Sequence, residues 1–269
     1  MTELLMSRKK TQASSPNNGL QLREIEPMTL AQGELFDAFY EGYHVVAMGT
    51  AGTGKSFLSI YLGLEAVFDP QSPYKKVLVC RSCVPSRDIG FLPGSEEEKI
   101  SVYKRPYQSI VQELFKRDDA WEILEKKGVV EFCSTSFLRG TTIDNTIIFV
   151  DEIQNLAYNE IHNVVTRIGK NSALVLAGDF NQMDLDTEES GVRDFFEIAK
   201  KIQGFKIIAF QERDIVRNDF IKEYIIAMNA YEKEKKERKI YNGHAVKREP
   251  FNNIIVAGQR YAIEATPIN

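Results

Sequence analysis

The chain alternates short continuous apolar runs with longer stretches in which apolar residues recur every three or four positions. His44-Val45-Val46-Ala47-Met48, Lys76-Val77-Leu78-Val79-Cys80, Val129-Val130-Glu131-Phe132-Cys133, Thr146-Ile147-Ile148-Phe149-Val150, Ser172-Ala173-Leu174-Val175-Leu176-Ala177 and Phe205-Lys206-Ile207-Ile208-Ala209-Phe210 are the short runs. Most are nearly unbroken, as expected of strands buried on both faces of a parallel sheet. Between them, Leu35, Phe36, Phe39 and Tyr40 place a helix over residues 30–40, and a second is expected from Phe57 to Phe68. Ile110, Val111, Leu114 and Phe115 place a third within residues 95–127, and Phe220, Tyr224, Ile225 and Met228 a fourth from about Asp219 to Arg238. The alternation predicts an α/β fold with a mostly parallel sheet and helices on both faces. Two breaks stand out: Asp69-Pro70-Gln71-Ser72-Pro73, and a loop marked by Gly90 and Pro93-Gly94 that is longer than a connector requires.

Periodicity fades at both ends. Arg8-Lys9-Lys10 is followed by a polar stretch with no apolar core, so the N-terminus reads as neither signal peptide nor membrane anchor. Residues 1–24 are expected to form a flexible leader and residues 25–240 the packed core. Glu232 to Lys239 alternates in charge like a solvated helix end. Residues 241–269, with the apolar run Asn253-Ile254-Ile255-Val256-Ala257, are expected to be an arm that is docked on a neighbour or loose.

Composition narrows the class. At 269 residues and 43% hydrophobic content, one large α/β domain or two small ones can bury a sizeable core. A balance of 34 basic and 38 acidic residues leaves a net charge of −4, so any nucleic-acid binding must come from a local patch. Three cysteines do not make a disulfide framework, and Cys80 and Cys83 lack nearby partners for zinc. With no apolar run near the roughly 20 residues that span a bilayer, no membrane association and a cytoplasmic location are expected.

Chemistry enters at Gly49-Thr50-Ala51-Gly52-Thr53-Gly54-Lys55-Ser56, between the first strand and the second helix. A glycine-rich turn there can close around phosphate oxygens, with backbone N–H groups and the helix start supplying positive potential. Lys55 is expected to reach the β/γ-phosphates of ATP and Ser56 to ligate Mg²⁺. Asp151 and Glu152 end the fourth run, where Asp151 can hold Mg²⁺ and Glu152 can orient and polarise an attacking water. The fifth run leads to Gly178-Asp179 and Gln182, groups placed to sense the γ-phosphate or the lytic water; an ordinary Asp/Asn turn is the alternative. Gln32, shortly before the first strand, is a candidate adenine reader, against the alternative of an exposed glutamine. Arg81, Arg87, Lys99, Tyr103, Lys104 and Arg105 could line a path for single-stranded nucleic acid, aromatics stacking bases and cations holding phosphates. A solvated helix face accounts for the same charges.

Taken in order, GTAGTGKS, RSCVPSRDIGFLPG, SFLRGTTIDNTIIFVDEIQN, VVTRIGKNSALVLAGDFNQMDL, SGV and FQERDIVRNDFIKEYIIAMNAYE resemble the PhoH-like family of phosphate-starvation ATPases. That family is similar in turn to the first motor domain of superfamily one helicases. The resemblance spans about Met28 to Glu232. It implies a RecA-like P-loop NTPase core, a helicase-type Asp151-Glu152 pair, a sensor of the type Gly178-Asp179-Gln182, and action on RNA or single-stranded DNA. No segment resembles the nuclease or KH domains of some relatives, so a short, phage-type member is expected.

Two-domain helicases close a second motor domain over ATP and supply an arginine from it. Too little chain follows Gln182 for such a domain, so the arginine is expected from a neighbouring subunit of a homo-oligomeric ring with ATP sites at its interfaces. Arg217 is the first candidate, then Arg213, Arg167 and Arg193. The function these readings imply is Mg²⁺-dependent ATP hydrolysis coupled to movement on, or remodelling of, single-stranded nucleic acid. A nucleotide-gated binding switch without unwinding is the alternative.

Overall fold

A computed structural model describes residues 19–82, 96–135, 138, 140, 142–179, 191–241, 254–256 and 259–261. All six long apolar runs are strands: β1 (His44–Gly49), β2 (Lys76–Arg81), β3 (Val130–Ser134), β4 (Thr146–Val150), β5 (Ala173–Gly178) and β6 (Phe205–Phe210). They form one sheet in the order β3-β2-β4-β5-β1-β6, and every pairing is parallel. Because β4, β5 and β1 are consecutive, the carboxyl ends of the three strands that carry the candidate motifs face one crevice.

Strand residues alternate between two cores. Val45, Ala47, Val77, Val79, Ile147, Phe149 and Val175 pack with α1 (Leu30–Tyr40), α2 (Lys55–Phe68), α3 (Glu96–Phe115) and α4 (Ala120–Lys126), around the fully buried Trp121. On the other face Val46, Met48, Leu78, Ile148, Val150, Leu174 and Leu176 pack with α5 (Tyr158–Val165) and α6 (Val192–Ala199). Apolar residues thus occupy both faces of the central strands, which is why their runs lack polar alternation. The last long helix, α7, spans Asp219–Tyr241, and the C-terminal apolar run pairs β7 (Ile254–Val256) antiparallel with β8 (Gln259–Tyr261).

The packed body begins before the boundary expected at residue 25. Leu20 is buried, Leu22 and Ile25 pack against the same core, and the Arg23 N–H donates to the Leu114 carbonyl at 3.0 Å. Residues 19–27 therefore form an extended strap along α3, whereas residues 1–18 lie outside the described part of the chain. Among the described residues, no helix is long and apolar enough to cross a membrane.

His44 gives the fold a pH dependence. Its Nδ1 accepts the Leu174 N–H at 3.1 Å, and burial lowers its pKa below the ordinary histidine value. The contact needs neutral imidazole, so its stabilisation is present above the unfolded histidine pKa and is lost as pH falls through the lower folded one. Thermal melting of the wild type is expected to fall more steeply than that of His44→Phe between about pH 7 and pH 5. Parallel curves would show that His44 does not control this loss.

Candidate nucleotide site

The glycine-rich segment bridges the end of β1 and the start of α2 in a conformation that its glycines make possible. Gly49 has φ +140°, and a Cβ there would stand 1.8 Å from the Phe210 carbonyl oxygen, against which the loop is pinned by the Thr50 N–H at 3.2 Å. Gly54, at φ +86°, caps the helix and leaves the first N–H groups of α2 facing the loop. Lys55 curls back, its Nζ donating to the carbonyls of Gly49 and Thr50 at 2.8 Å each and to Thr53 Oγ1 at 3.3 Å. A triphosphate's oxygens would compete for this ammonium. Burial lowers the Lys55 pKa, and the charges of Asp179, Asp151 and Glu152 oppose that shift.

Across the crevice, Ser56 Oγ donates to Asp151 Oδ2 at 2.9 Å, joining the P-loop helix to the tip of β4. The Tyr107 hydroxyl, from α3, donates to the same oxygen at 3.1 Å, and the Glu152 N–H donates to Asp151 Oδ1 at 3.0 Å. Burial, and then the Glu152 charge, raise the Asp151 pKa. A hydroxyl beside a carboxylate is the oxygen donor set that a hard cation such as Mg²⁺ takes when phosphates complete its shell. Ser56 and Asp151 therefore fit the ion expected from the sequence.

Glu152 sits in the left-handed region at φ +55°, an uncommon backbone for a non-glycine residue that here turns its side chain into the crevice. Gln154 fixes that side chain. Its Nε2 donates to Glu152 Oε2, and its Oε1 accepts the Asp179 N–H at 3.0 Å, so one buried amide ties the tip of β4 to the tip of β5. Gly178 leaves room for this bridge, since a Cβ there would lie 2.7 Å from Gln154 Oε1.

Most of these groups line one cleft of about 650 Å³. Its lining includes the loop residues Ala51, Gly52, Thr53, Gly54, Lys55 and Ser56, the strand-tip residues Arg81, Asp151, Glu152 and Asp179, and Met28, Gln32, Val216 and Arg217. The structure therefore brings Lys55, Ser56, Asp151 and Glu152 together as the sequence suggests. Gln182 lies outside the described residues, and only Gly178 and Asp179 represent the sensor segment.

Three further readings gain detail. Gln32 is buried, so the alternative of an exposed glutamine does not hold: its carbonyl oxygen accepts the Met28 N–H at 2.7 Å and its amide donates to the Thr53 carbonyl at 3.0 Å. Any adenine-reading role thus shares the amide with a bracing one. Arg217, expected to act on a neighbour's site, lies over its own P-loop. The Val216 N–H donates to the Gly52 carbonyl at 3.1 Å, and a Cβ on Gly52 would lie 3.1 Å from Arg217 Cγ. Finally, Tyr103 and Lys104 are not a free base-stacking and phosphate-holding pair. Tyr103 is buried beneath the Arg81 guanidinium, whose Cζ is 5.6 Å from the ring centroid, and Lys104 bonds Glu125 at 2.6 Å and covers Trp121. Arg105 remains exposed, whereas Arg87 and the Lys99 side chain lie outside the described parts.

Sequence reasoning did not single out Gln154 and Tyr107. Tyr107 shares the buried face of α3 with Tyr103, Val111 and Leu114, so its spacing reads as core and does not reveal its partner. Gln154 offered only its place two residues after the carboxylate pair.

A parallel α/β sheet whose first strand and helix are joined by a glycine-rich loop, facing paired carboxylates on the tip of a neighbouring strand, defines a P-loop NTPase with a nucleotide-binding cleft. The chain belongs to the PhoH-like protein family, whose sequence profile matches residues 24–231. It is 29% identical over 214 residues to a PhoH-like protein of Bacillus subtilis (strain 168), covering 79% of this chain and 65% of that protein. To a PhoH-like protein of Mycobacterium leprae (strain TN) it is 30% identical over 212 residues, covering 78% and 60% respectively. The chain thus spans a little under two thirds of the length of these relatives. Among solved structures, it is similar to the large terminase of a thermophilic bacteriophage in complex with ADP (TM-score 0.42, 10% identity, covering 82% of this chain and 51% of that one).

Proposed function

We propose that this protein hydrolyses ATP with Mg²⁺ and couples hydrolysis to movement along, or remodelling of, single-stranded RNA or DNA. The observation that carries the first half is the Ser56–Asp151 contact at 2.9 Å in a cleft also lined by Lys55 and Glu152. In this reading the loop N–H groups and Lys55 hold the β- and γ-phosphates. Glu152 orients a water in line with the γ-phosphorus and takes its proton as the new P–O bond forms. The bond from the γ-phosphorus to the bridging oxygen breaks, and its electron pair remains on the β-phosphate. Mg²⁺, held through Ser56 and Asp151, would supply charge neutralisation on the phosphates.

Coupling to nucleic acid draws on the family relationship and on the position of α3, which follows the turn-rich loop and touches Asp151 through Tyr107. Assembly into a ring is part of the same reading. It draws on Phe220, Tyr224 and Tyr231, which share one side of α7 and are 75%, 60% and 64% exposed. Arg217 lines the cleft of its own chain, so in this reading the ring serves assembly rather than delivery of that arginine.

A phosphate-release assay tests the proposal. Release should require both ATP and Mg²⁺ and rise on addition of single-stranded RNA or DNA. No release would refute the hydrolase, and release indifferent to both polymers would refute the coupling. Within this reading Gln154→Leu should lower turnover by roughly 10- to 100-fold, because a misplaced catalytic group costs about that much, with little change in ATP binding. Unchanged turnover would mean that Glu152 holds its orientation without the amide.

A further inference from the structure

We propose that Arg81 is a catalytic residue of this reaction, reaching the γ-phosphate of the triphosphate bound to its own chain. The inference rests on the hydrolase reading and assigns the cation that was expected from a neighbouring subunit. Arg81 is the last residue of β2, one position beyond the Cys80–Val150 pair, and the Asp151 N–H donates to the Cys80 carbonyl at 3.0 Å. The backbone thus places Arg81 and Asp151 side by side on adjacent strand tips. Its half-buried side chain lines the cleft together with Lys55 and Glu152.

Two aromatic residues on α3 aim the guanidinium. Tyr103 lies under it, Cζ to ring centroid 5.6 Å, and Tyr107, which hydrogen-bonds Asp151, stands beside it. Both tyrosines are buried, so the arginine is seated on a fixed platform rather than free to sweep through solvent. A preorganised cation of this kind stabilises charge that develops in a transition state without reorganising at the moment of reaction.

Charge balance also favours the nucleotide over a nucleic-acid phosphate as its target. The tips of β4 and β5 bring Asp151, Glu152 and Asp179 to the cleft, and among the described lining residues Lys55 and Arg81 are the cations nearest these acids in the fold. Charge that builds up on the γ-phosphoryl group beside three carboxylates calls for a second cation besides Lys55. Lys55 belongs to the P-loop, and Arg81 stands on the strand tip next to Asp151 and Glu152. Bidentate guanidinium geometry suits the equatorial oxygens of a transferring phosphoryl group better than an ammonium does.

The test uses the full chain with Arg81→Gln and Arg81→Lys. Arg81→Gln should lower single-turnover ATP hydrolysis by about 10²- to 10³-fold, with MgATP affinity changed by less than about threefold and melting temperature retained. Arg81→Lys should recover only part of the rate. Affinity for MgADP with fluoroaluminate, which mimics the transferring phosphoryl group, should fall in Arg81→Gln while MgADP affinity does not. A residue that only neutralises Asp151 and Glu152 would change melting temperature and spare this difference. Mixing Arg81→Gln chains with Lys55→Ala chains should give no recovery, whereas recovery would show that Arg81 acts on a neighbour and overturn the assignment. Wild-type turnover in Arg81→Gln would also overturn it while leaving the hydrolase reading intact. Absence of hydrolysis by the wild type would sink both.

Discussion

Glu152→Gln is expected to lower ATP turnover by about 10²- to 10⁴-fold, the range a general base contributes, while MgATP still binds. The substitution keeps the size of the side chain and its contact with Gln154, so the tip of β4 should stay in place. What disappears is the carboxylate that accepts the proton of the attacking water. Two features make the site sensitive to this loss: the backbone at φ +55° and the bridge through Gln154 to the Asp179 N–H commit Glu152 to one position. Single-turnover hydrolysis and binding of a fluorescent ATP analogue, measured on the same preparation, separate the two effects. If Glu152→Gln hydrolyses ATP at the wild-type rate, another group takes the proton.

The second large effect falls on binding. Lys55→Ala should weaken ATP affinity by roughly 100-fold, equivalent to ~3 kcal/mol, the upper end for hydrogen bonds to a charged group. The same ammonium ties the carbonyls of Gly49 and Thr50 together at 2.8 Å, so its removal also breaks that tie and leaves the Thr50 carbonyl only the Thr53 hydroxyl, at 3.0 Å, as a side-chain donor. A drop in melting temperature should accompany the loss of affinity. Lys55→Arg should not restore binding, because the loop encloses Lys55 closely at 9% exposure and a planar guanidinium cannot reproduce the same convergence. Unchanged ATP affinity in Lys55→Ala would remove the loop from the nucleotide site.

The sheet was legible because its strands are buried on both faces: continuous apolar runs of five or six residues, each bounded by turn residues, match β1 to β6 within about a residue or two. Helices α5 and α6 are not legible in the same way. Each has eight residues, about two turns; α5 buries only Ile161 and Val164, whereas α6 does show the helical spacing, in Val192, Phe195, Phe196 and Ala199, but over a single repeat. The first part of the strap, residues 19–24, reads as leader because its composition is polar, although Leu20 and Leu22 alternate as an extended segment on a core does. At the site, Lys55, Ser56, Asp151 and Glu152 were legible because short motifs carry their chemistry. Gln154, Tyr107 and the placement of Arg217 were not, since their partners lie far off in sequence: Asp179, Asp151 and Gly52. Only the assembled fold decides that Arg217 meets its own P-loop and that Tyr103 faces inward.

A structure with Mg²⁺ and a non-hydrolysable ATP analogue tests most directly whether the P-loop and the tip of β4 hold one triphosphate. The account predicts Lys55 Nζ withdrawn from the Gly49 and Thr50 carbonyls onto phosphate oxygens, the ion beside Ser56 and Asp151, and the γ-phosphate facing Glu152. A nucleotide bound elsewhere, or phosphates lying beyond the reach of Lys55 and Glu152, would contradict it.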